Sequence, residues 1–439
     1  MPGLNGAQLS SWQNPGHKEV PLKILVLDEW IPYPLVSGKK LRSYHLLARV
    51  AHNHKITYLC FADPSGEEVA RKQIESFGIR LVTLPRANPF DSGYKLYLLA
   101  LTNLISPAPL VMKKHFRKDY LATMRELVRD EEFDLIHCEW THYGAYIGAL
   151  PSRPRFLSSH NIEAMQWQRL YEHEENLVKR PFLYLEWQKM FRFEKGVCRK
   201  FDHIAAVSED DRDKFKNLYG CESVTLIPNG VDVDYYNFAL PDLTKKSLVF
   251  SASLDAFANQ DAAVYFMESI FPKILEKDSG VKVMFLGKDP PSSLRKYESE
   301  RVTFTGTVDD VRPYLLRSSV SVVPIRVAAG SRIKILEAMA AGLPVVSTPE
   351  GAEGLEVVAG EHILIARNEN EFAGCVIQLL NDSSLVQSLT TKARRLVEER
   401  YDWEGIAPLL EQAWEETILR FRQREKRRAQ EKGAQKRCP

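Results

Sequence analysis

Residues 302–348 read VTFTGTVDDVRPYLLRSSVSVVPIRVAAGSRIKILEAMAAGLPVVST. In this stretch the short apolar runs VTFTG, VSVVPI and LPVVST flank a segment of helical character at Lys334–Ala341. Short runs that are apolar throughout are typical of parallel strands buried on both faces of an α/β sheet. The stretch therefore predicts strands and a helix of one parallel sheet.

The same alternation of apolar runs and helical segments extends over most of the 439 residues. Helical segments are predicted at Leu41–His52 and Asp261–Glu276, between the apolar runs. The predicted strands are Leu22–Trp30, Lys55–Phe61, Ile79–Leu84, Phe133–Glu139, Arg155–His160, Asp202–Ser208 and Ser223–Pro228 in the first half, and Ser247–Ser253, Val281–Gly287, Val302–Gly306, Val320–Ile325, Leu343–Thr348 and His362–Ala366 in the second.

A turn-rich segment, IPNGVDVDYYNFALPDLTKKS, separates the two halves and predicts a domain boundary. Two doubly wound Rossmann-like domains facing a cleft would bind ligands at the carboxyl ends of their strands. The predicted order is a flexible lead (1–20), a first domain (21–228), a linker (229–246), a second domain (247–401), a C-terminal helix that crosses back to the first domain (402–426) and a basic disordered tail (427–439).

Composition and charge are those of a globular protein without a nucleic-acid-binding surface. Hydrophobic residues make up 44% and charged residues 26% of the chain, and the net charge is +2. Residues 420–439 hold nine Lys/Arg and two Glu, so the remainder carries a net charge of −5. A nucleic-acid-binding domain needs a basic folded surface. We therefore expect no nucleic acid partner and interpret the basic end as a solvated tail, with anionic lipid or RNA binding as the alternative.

The cysteines and the N-terminal residues predict a cytoplasmic protein. Six cysteines occur without a CxxC pair or a neighbouring metal-spaced His, which indicates reduced thiols. The first 20 residues lack a charged segment followed by an apolar one, so we expect no signal peptide. The longest apolar run, Leu96–Met112, is interrupted by Asn103, Pro107 and Pro109 and is not expected to span a membrane.

Several cofactor and metal motifs are missing from the sequence. No GxGxxG follows the first strand, and no GxxxxGK[ST] is present, which argues against a dinucleotide-dependent dehydrogenase and a P-loop enzyme. No HExxH or paired Cys/His cluster occurs either. We therefore expect no cofactor and no protein-built metal site.

The segment after the strand Val320–Ile325 has the character of a phosphate site. A small-residue loop, Ala328–Ser331, leads into a helix whose first turn carries Arg332 and Lys334. Backbone N–H groups at a helix start attract anions, whereas cations are unfavourable there unless an anion is bound. This pattern predicts a diphosphate site, with Glu337 one turn later as an acceptor for sugar hydroxyls. The alternative is a surface helix with ordinary charges.

The sequence resembles glycosyltransferase family 4, a large family of retaining enzymes with the two-domain GT-B architecture. The resemblance is carried by residues 302–348 and by four more motifs in the same order. These are PYPLVSGKKLRSYHLLARVAHNHKITYLCF (32–61), SSHNIEAMQW (158–167), AAVSEDDRDKF (205–215) and LIPNGVDVDYY (226–236). Because the motifs extend over most of the chain, the resemblance implies a GT-B fold with the nucleotide-sugar donor bound by the second domain.

The family's donor signature implies roles for residues of the second domain. Its two glutamates, at the ends of a nine-residue window, fall on Ala329 and Glu337, so only the one that holds the ribose is kept. The family's basic pair after the first strand is also missing, with Asn259 near the Lys position. Arg332 and Lys334 would then carry the diphosphate charge, and the N–H groups of Gly330 and Ser331 would face the sugar or phosphate.

Further roles follow from the resemblance. Ser37 and Gly38 occupy the family's glycine loop, where small residues let the backbone approach the donor phosphates, and Lys39 and Lys40 would add positive charge there. A plain turn is the alternative. His160 corresponds to a family histidine that contacts the transferred sugar or acceptor, and a structural histidine is the alternative. Gly306 and Val308 would line the base. Ser208 is expected to cap a helix.

The implied activity is retaining transfer of a sugar from a nucleoside-diphosphate sugar to a glycan or lipid-linked acceptor, without metal. Two alternatives remain, a nucleotide-sugar 2-epimerase and a scaffold that binds nucleotide sugar or glycan without turnover. The missing family residues at positions 329 and 259 motivate the scaffold.

The acceptor side of the sequence is less specific. Tyr94–Lys118 joins an apolar run to Lys113, Lys114, Arg117 and Lys118. This pattern predicts either a peripheral contact with the inner membrane face beside a lipid-linked acceptor, or a buried helix that ends in a solvated basic turn.

Overall fold

The computed structural model describes residues 21–63, 66–86, 94–174, 176–288, 290–327 and 333–435. The chain forms two compact units. The N-terminal unit contains the described chain up to Pro34, Lys39–Ile227 and the chain from Ala407 onward. The C-terminal unit contains Leu35–Gly38 and Pro228–Ile406, so residues 229–246, predicted as a linker, group with it.

The N-terminal unit is built on a seven-stranded sheet in the order β3-β2-β1-β4-β5-β6-β7, and every described pairing is parallel. Each apolar run predicted in the first half forms one of these strands, which confirms the parallel α/β prediction. The strands are β1 (Lys23–Trp30), β2 (Lys55–Ala62), β3 (Arg80–Pro85), β4 (Leu135–Cys138), β5 (Arg155–Ser158), β6 (His203–Ala206) and β7 (Val224–Leu226).

Helices surround this sheet, and one of them has the predicted cap. The Ser208 hydroxyl accepts a hydrogen bond from the Asp211 backbone N–H at 3.1 Å, which confirms Ser208 as an N-cap. The helices are α1 (Gly38–Val50), α2 (Glu67–Glu75), α3 (Tyr94–Asn103), α4 (Leu110–His115), α5 (Lys118–Asp130), α6 (Glu163–His173), α7 (Arg180–Cys198) and α8 (Glu209–Asn217), with 3₁₀ turns at Thr141–Ala145 and Ile147–Ala149.

The C-terminal unit is built on a six-stranded parallel sheet in the order β10-β9-β8-β11-β12-β13. A separate hydrophobic core fills this unit, and Val249, Phe250 and Val322 in it are fully buried. All of the runs predicted in the second half form strands. They are β8 (Ser247–Ser251), β9 (Lys282–Leu286), β10 (Val302–Phe304), β11 (Val320–Val323), β12 (Val345–Ser347) and β13 (Leu364–Ile365).

The helices of the C-terminal unit also follow the predicted pattern, with one irregularity. The predicted helix Asp261–Glu276 is interrupted by a π-helical turn at Phe266–Ile270, just before Pro272. The helices are α9 (Phe257–Tyr265), α10 (Phe271–Lys277), α11 (Ser292–Arg295), α12 (Arg312–Leu315), α13 (Ile333–Ala340), α14 (Pro349–Ala352), α15 (Glu369–Asn381) and α16 (Ser383–Arg400).

The last helix, α17 (Trp403–Gln435), begins in the C-terminal unit and from Ala407 onward belongs to the N-terminal unit. Its Trp414 is fully buried, with ring centroids 5.5 Å from His54 and 5.7 Å from His137. The chain therefore returns to the first unit, as the sequence predicts.

The helix α17 is longer than predicted. We expected it to end at 426 and residues 427–439 to be disordered, but residues up to Gln435 are helical. This part consists largely of Lys, Arg, Glu, Gln and Ala, which favour helix, and Arg428 pairs with Glu425 one turn away at 3.3 Å. The charge density that suggested disorder is compatible with a solvated helix. Residues 436–439 lie outside the described residues.

Candidate functional site

The strand order of the C-terminal sheet reverses between β8 and β11. The chain leaves the sheet in opposite directions from these two neighbouring strands, and ligands of doubly wound sheets bind in the crevice beyond such strand ends. The segment predicted to hold phosphate follows β11 and precedes α13. Ala329, Gly330, Ser331 and Arg332 lie outside the described residues, so their roles stay predictions.

Lys334 connects the two sides of this crevice. Its Nζ donates a hydrogen bond to Asn259 Oδ1 at 3.0 Å and lies 4.9 Å from the centroid of the Phe250 ring. Asn259 is held in turn because its Nδ2 donates to the Ser253 carbonyl at 2.7 Å. Asn259 stands near the position where many family members carry Lys. Helix α13 thus places the ammonium group of Lys334 beside Asn259, near the position where many family members carry a Lys.

Glu337 lies one helical turn after Lys334 and is partly buried. Its Oε1 accepts a hydrogen bond from the Tyr236 hydroxyl at 2.9 Å. Burial raises the pKa of Glu337 to about 6, although the Tyr236 hydrogen bond and the charge of Lys334 lower it. The carboxylate is therefore ionised near neutral pH but incompletely stabilised, as expected for a group that accepts further hydrogen bonds from a ligand.

Two glycines lie at the carboxyl ends of β9 and β10. A Cβ on Gly287, which has φ of 148°, would come within 2.0 Å of the Ala252 carbonyl oxygen. Gly306 also has positive φ, 70°, but a Cβ there would have no described heavy atom within 4 Å. Val308 packs against the core of this unit. Gly306 and Val308, predicted to line the base, are thus at the same edge of the sheet as Lys334.

A neighbouring set of polar residues was missed by the sequence reasoning. The Arg312 guanidinium lies 3.9 Å from the centroid of the Tyr235 ring and pairs with Asp310 at 2.7 Å. Asp310 also accepts a hydrogen bond from the Tyr235 hydroxyl at 3.2 Å. Asp310, Arg312 and Tyr236 line a pocket of about 200 Å³. The sequence signal was available, because residues 308–312 come a few positions after the end of β10.

Ser37 and Gly38, predicted to approach the donor phosphates, are exposed and lie at the start of α1. They group with the C-terminal unit, in which a Cβ on Gly38 would lie 3.3 Å from Ile333 Cδ1 at the start of α13. Gly38 is not among the glycines with positive φ. Its small size matters for this close approach and not for its backbone conformation.

The strand order of the N-terminal sheet reverses between β1 and β4. A group of polar and aromatic side chains lies near this switch point, at the carboxyl ends of the neighbouring strands. The sequence reasoning named only some of them. We call this group the switch-point cluster; it consists of Asp28, Glu29, Lys39, His115, Glu139, Trp140, Thr141, His142, His160, Asn161 and Glu163.

Lys39 lies in this cluster among acidic groups. Its Nζ is 2.5 Å from an oxygen of Asp28 and 3.9 Å from one of Glu29, and 4.7 Å from the centroid of the Trp140 ring. Burial lowers the pKa of Lys39, but the two carboxylates raise it above its usual value. The positive charge of Lys39, which the sequence suggested for donor phosphates, is therefore balanced by Asp28 and Glu29 within the N-terminal unit.

His160 lies after β5, beside Glu139. Its Nε2 is 3.3 Å from Glu139 Oε2, which also accepts a hydrogen bond from the Ser43 hydroxyl at 3.1 Å. Glu139 is fully buried, and burial alone would raise its pKa. The interaction with His137, a hydrogen bond with His160 and the nearby guanidinium of Arg42 instead lower this pKa to about 2. A permanently ionised carboxylate thus fixes one nitrogen of the His160 ring.

A second buried carboxyl group supports the loop that carries His160. Both oxygens of Glu194 accept hydrogen bonds from the first turn of α6, at 3.1 Å from the Glu163 N–H and 3.0 Å from the Ala164 N–H. Burial raises the pKa of Glu194 to about 8. The Glu163 side chain accepts a hydrogen bond from Trp140 Nε1 at 2.8 Å. These bonds connect the segment after β4 to that after β5.

Among the described residues, no group of three or more His, Cys, Asp or Glu side chains has the arrangement of a metal site. No described helix combines the length and the apolar character needed to cross a bilayer.

Two family descriptions match the chain and divide it as the two sheets do. The one described as Glycosyltransferase Family 4 matches residues 42–235, and the one described as Glycosyl transferases group 1 matches residues 245–382. Together they account for most of the described chain.

Relatives and a solved structure agree with these matches. An uncharacterized 44.6 kDa protein from the cps region of Klebsiella pneumoniae is 20% identical over 87% of this chain and 96% of its own length. The GDP-mannose-dependent α-(1-6)-phosphatidylinositol monomannoside mannosyltransferase of Mycobacterium tuberculosis is 24% identical over 65% of this chain and 77% of its own. The crystal structure of Anabaena HepE with UDP and glucose has a TM-score of 0.64 at 17% identity, covering 89% of this chain and 98% of that one.

The two parallel Rossmann-like sheets and the likeness to HepE confirm the predicted GT-B fold class. With a family 4 match over the first sheet and a group 1 match over the second, the chain belongs to the group 1, family 4 glycosyltransferases and is a glycosyltransferase.

Proposed function

We propose that the protein transfers a sugar, with retention at the anomeric carbon, from a nucleoside-diphosphate sugar to an acceptor hydroxyl. The donor binds at the carboxyl edge of the C-terminal sheet, between β8 and β11. The observation that carries the proposal is the placement of Lys334 beside Asn259, with Glu337 one turn later on the same helix.

The diphosphate and the ribose of the donor both have suitable partners at this edge of the sheet. Lys334, together with Arg332, would neutralise the diphosphate, and the start of α13 adds its N–H groups. Glu337 would accept hydrogen bonds from the ribose hydroxyls. The backbone at Gly306 and Val308 would contact the base, and Gly330 and Ser331 the sugar or phosphate.

The relatives support a nucleotide-sugar donor but differ in the base. HepE was crystallised with UDP and glucose, whereas the mycobacterial relative is named as GDP-mannose-dependent. We propose that the donor is a nucleoside-diphosphate hexose. The residues proposed to line the base include backbone groups after β10, so the identity of the base is left to experiment.

The proposed reaction exchanges one bond at the anomeric carbon. The bond between that carbon and the β-phosphate oxygen breaks, and its electron pair stays on the phosphate. The acceptor oxygen bonds to the same face of the carbon, and its proton passes to the leaving phosphate. Lys334 and Arg332 stabilise the charge that develops on this phosphate, so neither an enzymic nucleophile nor a metal ion is needed. His160 contacts the transferred sugar or the acceptor.

A membrane-surface contact is a second part of the proposal, supported by an apolar surface on the N-terminal unit. On α3 and in the turn after it, the side chains of Leu98, Leu101 and Ile105 are 57%, 66% and 94% exposed. Lys113 and Lys114 follow on α4. Exposed apolar groups next to cations favour an anionic lipid surface. We propose that the protein works in the cytoplasm, at the inner membrane face, on a glycan or lipid-linked acceptor.

The apolar surface is held rigidly by a buried polar group. The Asn103 side chain donates a hydrogen bond to Glu186 Oε1 at 3.0 Å, and Lys189 Nζ donates to the Asn103 carbonyl at 2.7 Å and to Glu186 at 3.0 Å. Glu186 Oε2 accepts from the Leu110 N–H at 2.7 Å. These bonds attach the end of α3 and the start of α4 to α7, so the leucines of α3 are presented on a fixed support.

The transfer reaction is tested by following the donor alone by proton NMR with EDTA present. A retaining transferase releases the sugar slowly to water with its anomeric configuration kept. A 2-epimerase would change the donor sugar without releasing it, and a scaffold would leave the donor unchanged. Release with inverted configuration would refute the retaining mechanism.

The membrane contact is tested by flotation with phosphatidylglycerol and phosphatidylcholine vesicles. We expect binding to the anionic vesicles and about tenfold weaker binding of the double variant Leu101→Ser, Ile105→Ser, because each side chain loses apolar burial. Leu419→Ser is the matched control, since Leu419 is 55% exposed on α17. Equal binding of the double variant and the control would exclude this surface as the contact.

A further inference from the structure

Glu337 is held by a tyrosine from outside its own helix. The Tyr236 hydroxyl donates a hydrogen bond to Glu337 Oε1 at 2.9 Å, and Tyr236 lies in the segment between β7 and β8. Glu337 Oε2 accepts no hydrogen bond from a residue that the structure describes. Because the side chain is partly buried, Oε2 has room for a further donor but little access to bulk water.

A buried carboxylate of the N-terminal unit shows what a fully satisfied group looks like in this protein. The two oxygens of Glu194 accept three hydrogen bonds, from the backbone N–H groups of Glu163 and Ala164 and from the Tyr219 hydroxyl at 2.6 Å. Glu337 has one described donor in place of three. The remaining capacity of Glu337 to accept hydrogen bonds is therefore left for a ligand.

The Tyr236 side chain is enclosed and stays a hydrogen-bond donor. It is 3% exposed, and its ring meets the Tyr235 ring edge-on with the centroids 5.1 Å apart. Burial and the nearby Glu337 carboxylate raise the pKa of Tyr236 well above its usual value. The phenol is therefore protonated at neutral pH, and its proton is directed at Glu337.

Arg394 of α16 fixes the backbone of Tyr236 against the end of the helix that carries Glu337. Its Nη1 donates to the Tyr236 carbonyl at 3.0 Å and to the Ala340 carbonyl at 2.7 Å, and its Nη2 donates to the Val233 carbonyl at 3.2 Å. Ala340 is the last residue of α13. One guanidinium thus sets the position of the tyrosine relative to α13.

We propose that Tyr236 is a positioning residue for donor binding. Its hydroxyl holds Glu337 through Oε1, so that Oε2 faces the donor and accepts a hydrogen bond from a ribose hydroxyl. The proposal rests on the proposed function, because it takes Glu337 to contact the ribose. Tyr236 itself does not touch the ligand, and its whole effect is exerted through Glu337.

The test compares ribose and deoxyribose ligands by titration calorimetry on the full chain. UDP, GDP and ADP are titrated first, and the nucleotide that binds is then compared with its 2′-deoxy and 3′-deoxy forms. The wild type should bind at least one deoxy form about tenfold more weakly, since Glu337 then loses a hydrogen bond.

Tyr236→Phe should remove this discrimination. We expect the variant to bind the ribonucleotide about tenfold more weakly than the wild type does, and to bind the deoxy form about as well as the ribonucleotide. A general loss of stability would weaken the binding of all three forms alike. Discrimination of the wild-type size in Tyr236→Phe would overturn the proposal.

The neighbouring tyrosine provides the matched control. Tyr235→Phe also removes one phenol hydroxyl from the same segment, but that hydroxyl bonds to Asp310 and not to Glu337. It should keep both the affinity and the discrimination of the wild type. If Tyr235→Phe lost discrimination as far as Tyr236→Phe, the effect would belong to the segment as a whole, and the role assigned to the Tyr236 hydroxyl would be wrong.

The pH dependence of nucleotide binding gives a second readout. Burial raises the pKa of Glu337 to about 6, against the Tyr236 hydrogen bond and the charge of Lys334. Removal of the hydroxyl should raise this pKa further, so the affinity of Tyr236→Phe should start to fall at a higher pH than that of the wild type. Ionisation of the terminal phosphate is common to both proteins and cancels in the comparison. Identical pH profiles would contradict the proposal.

The wild-type results separate this proposal from the proposed function. If the wild type binds none of the three nucleotides, the proposed function fails. If it binds a nucleotide and both deoxy forms equally well, Glu337 does not hold the ribose, and the positioning role fails while the donor class stands. If only Tyr236→Phe departs from the expected result, the positioning role alone is wrong.

Discussion

Replacement of Glu337 by Gln should raise the stability of the protein near neutral pH and weaken donor binding at the same time. Burial raises the pKa of this carboxyl from 4.5 to about 6. The difference corresponds to a penalty of about 2 kcal/mol on the ionised form in the folded state. The ionised side chain therefore destabilises the fold at pH 7.

The sign of the pH dependence follows from the raised pKa. Between about pH 4.5 and 6 the folded state holds a proton that the unfolded state has lost, so the contribution of Glu337 to stability decreases as the pH rises through this range. Above it, the penalty is constant. Glu337→Gln, which is neutral throughout, should be more stable than the wild type by up to about 2 kcal/mol at pH 8 and no more stable at pH 4.

Donor binding should change in the opposite direction. A carboxylate that accepts hydrogen bonds from ribose contributes about 1.5–3 kcal/mol, so Glu337→Gln should bind a nucleotide sugar at least about tenfold more weakly. Binding to the wild type should also weaken as the pH falls below about 6, where the carboxyl becomes protonated. The diphosphate diester of the ligand has no ionisation in this range.

Urea denaturation between about pH 4 and 8 measures the first effect and titration calorimetry the second. Glu361→Gln is the control, because Glu361 is an exposed carboxylate of the same unit. The reasoning is refuted if Glu337→Gln has the stability of the wild type at pH 8, or if it binds the nucleotide sugar equally well at every pH.

Four further substitutions test the fold and the site. Gly287→Ala should destabilise the protein by about 2–4 kcal/mol in urea denaturation, because a Cβ would clash with the Ala252 carbonyl at 2.0 Å. Gly306→Ala should cost only about 1 kcal/mol, because its surroundings are open, and equal costs of the two substitutions would contradict this reasoning. Glu139→Gln should destabilise the protein by about 3 kcal/mol at pH 7, because it leaves buried positive charge unbalanced. The stability difference from the wild type should shrink as the pH falls toward the Glu139 pKa of about 2, and a pH-independent difference would show that the Glu139 charge is unimportant. Trp414→Ala should cost about 3–5 kcal/mol in thermal or urea unfolding, and a loss below about 1 kcal/mol would mean that α17 is not held by this ring.

The strands and their parallel arrangement were predictable from the sequence because local composition determines them. A strand buried on both faces must be apolar throughout, and each predicted run of this kind forms a strand of the structure. The N-cap at Ser208 was predictable for a similar reason, since the hydroxyl acts on its own helix. The irregular turn at Phe266–Ile270 lies before Pro272, which was visible in the sequence but does not specify a π-helix.

The residues proposed to bind the donor were predicted from a local motif, whereas the switch-point cluster depends on strand order. Lys334 and Glu337 are close in sequence and lie on one helix. Glu29 and Glu163 are far apart in sequence, and they join one cluster only because β1, β4 and β5 are neighbours. Of this cluster, the sequence singled out His160 by resemblance and Lys39 as a phosphate ligand, but not the carboxylates that balance the charge of Lys39.

The C-terminal residues show the limit of reasoning from charge alone. Residues 427–435 carry many like charges, which suggested disorder, but their backbone continues the helix α17 from the N-terminal unit. The anchored part, with Trp414 buried, supplies the nucleus that an isolated charged segment lacks. Packing of Trp414 in the earlier part of α17 thus supports the helix over residues 427–435.

The central claim, that the donor diphosphate binds beside Lys334, is tested most directly by calorimetry with UDP-, GDP- and ADP-sugars in EDTA. We expect one base to bind the wild type and Lys334→Ala to lose about 10- to 100-fold in affinity, the value of a charge-assisted hydrogen bond to phosphate. Lys392→Ala, which removes an exposed lysine of the same unit, should bind as the wild type does. Equal affinities of Lys334→Ala and Lys392→Ala, or no binding of any nucleotide sugar to the wild type, would contradict the account.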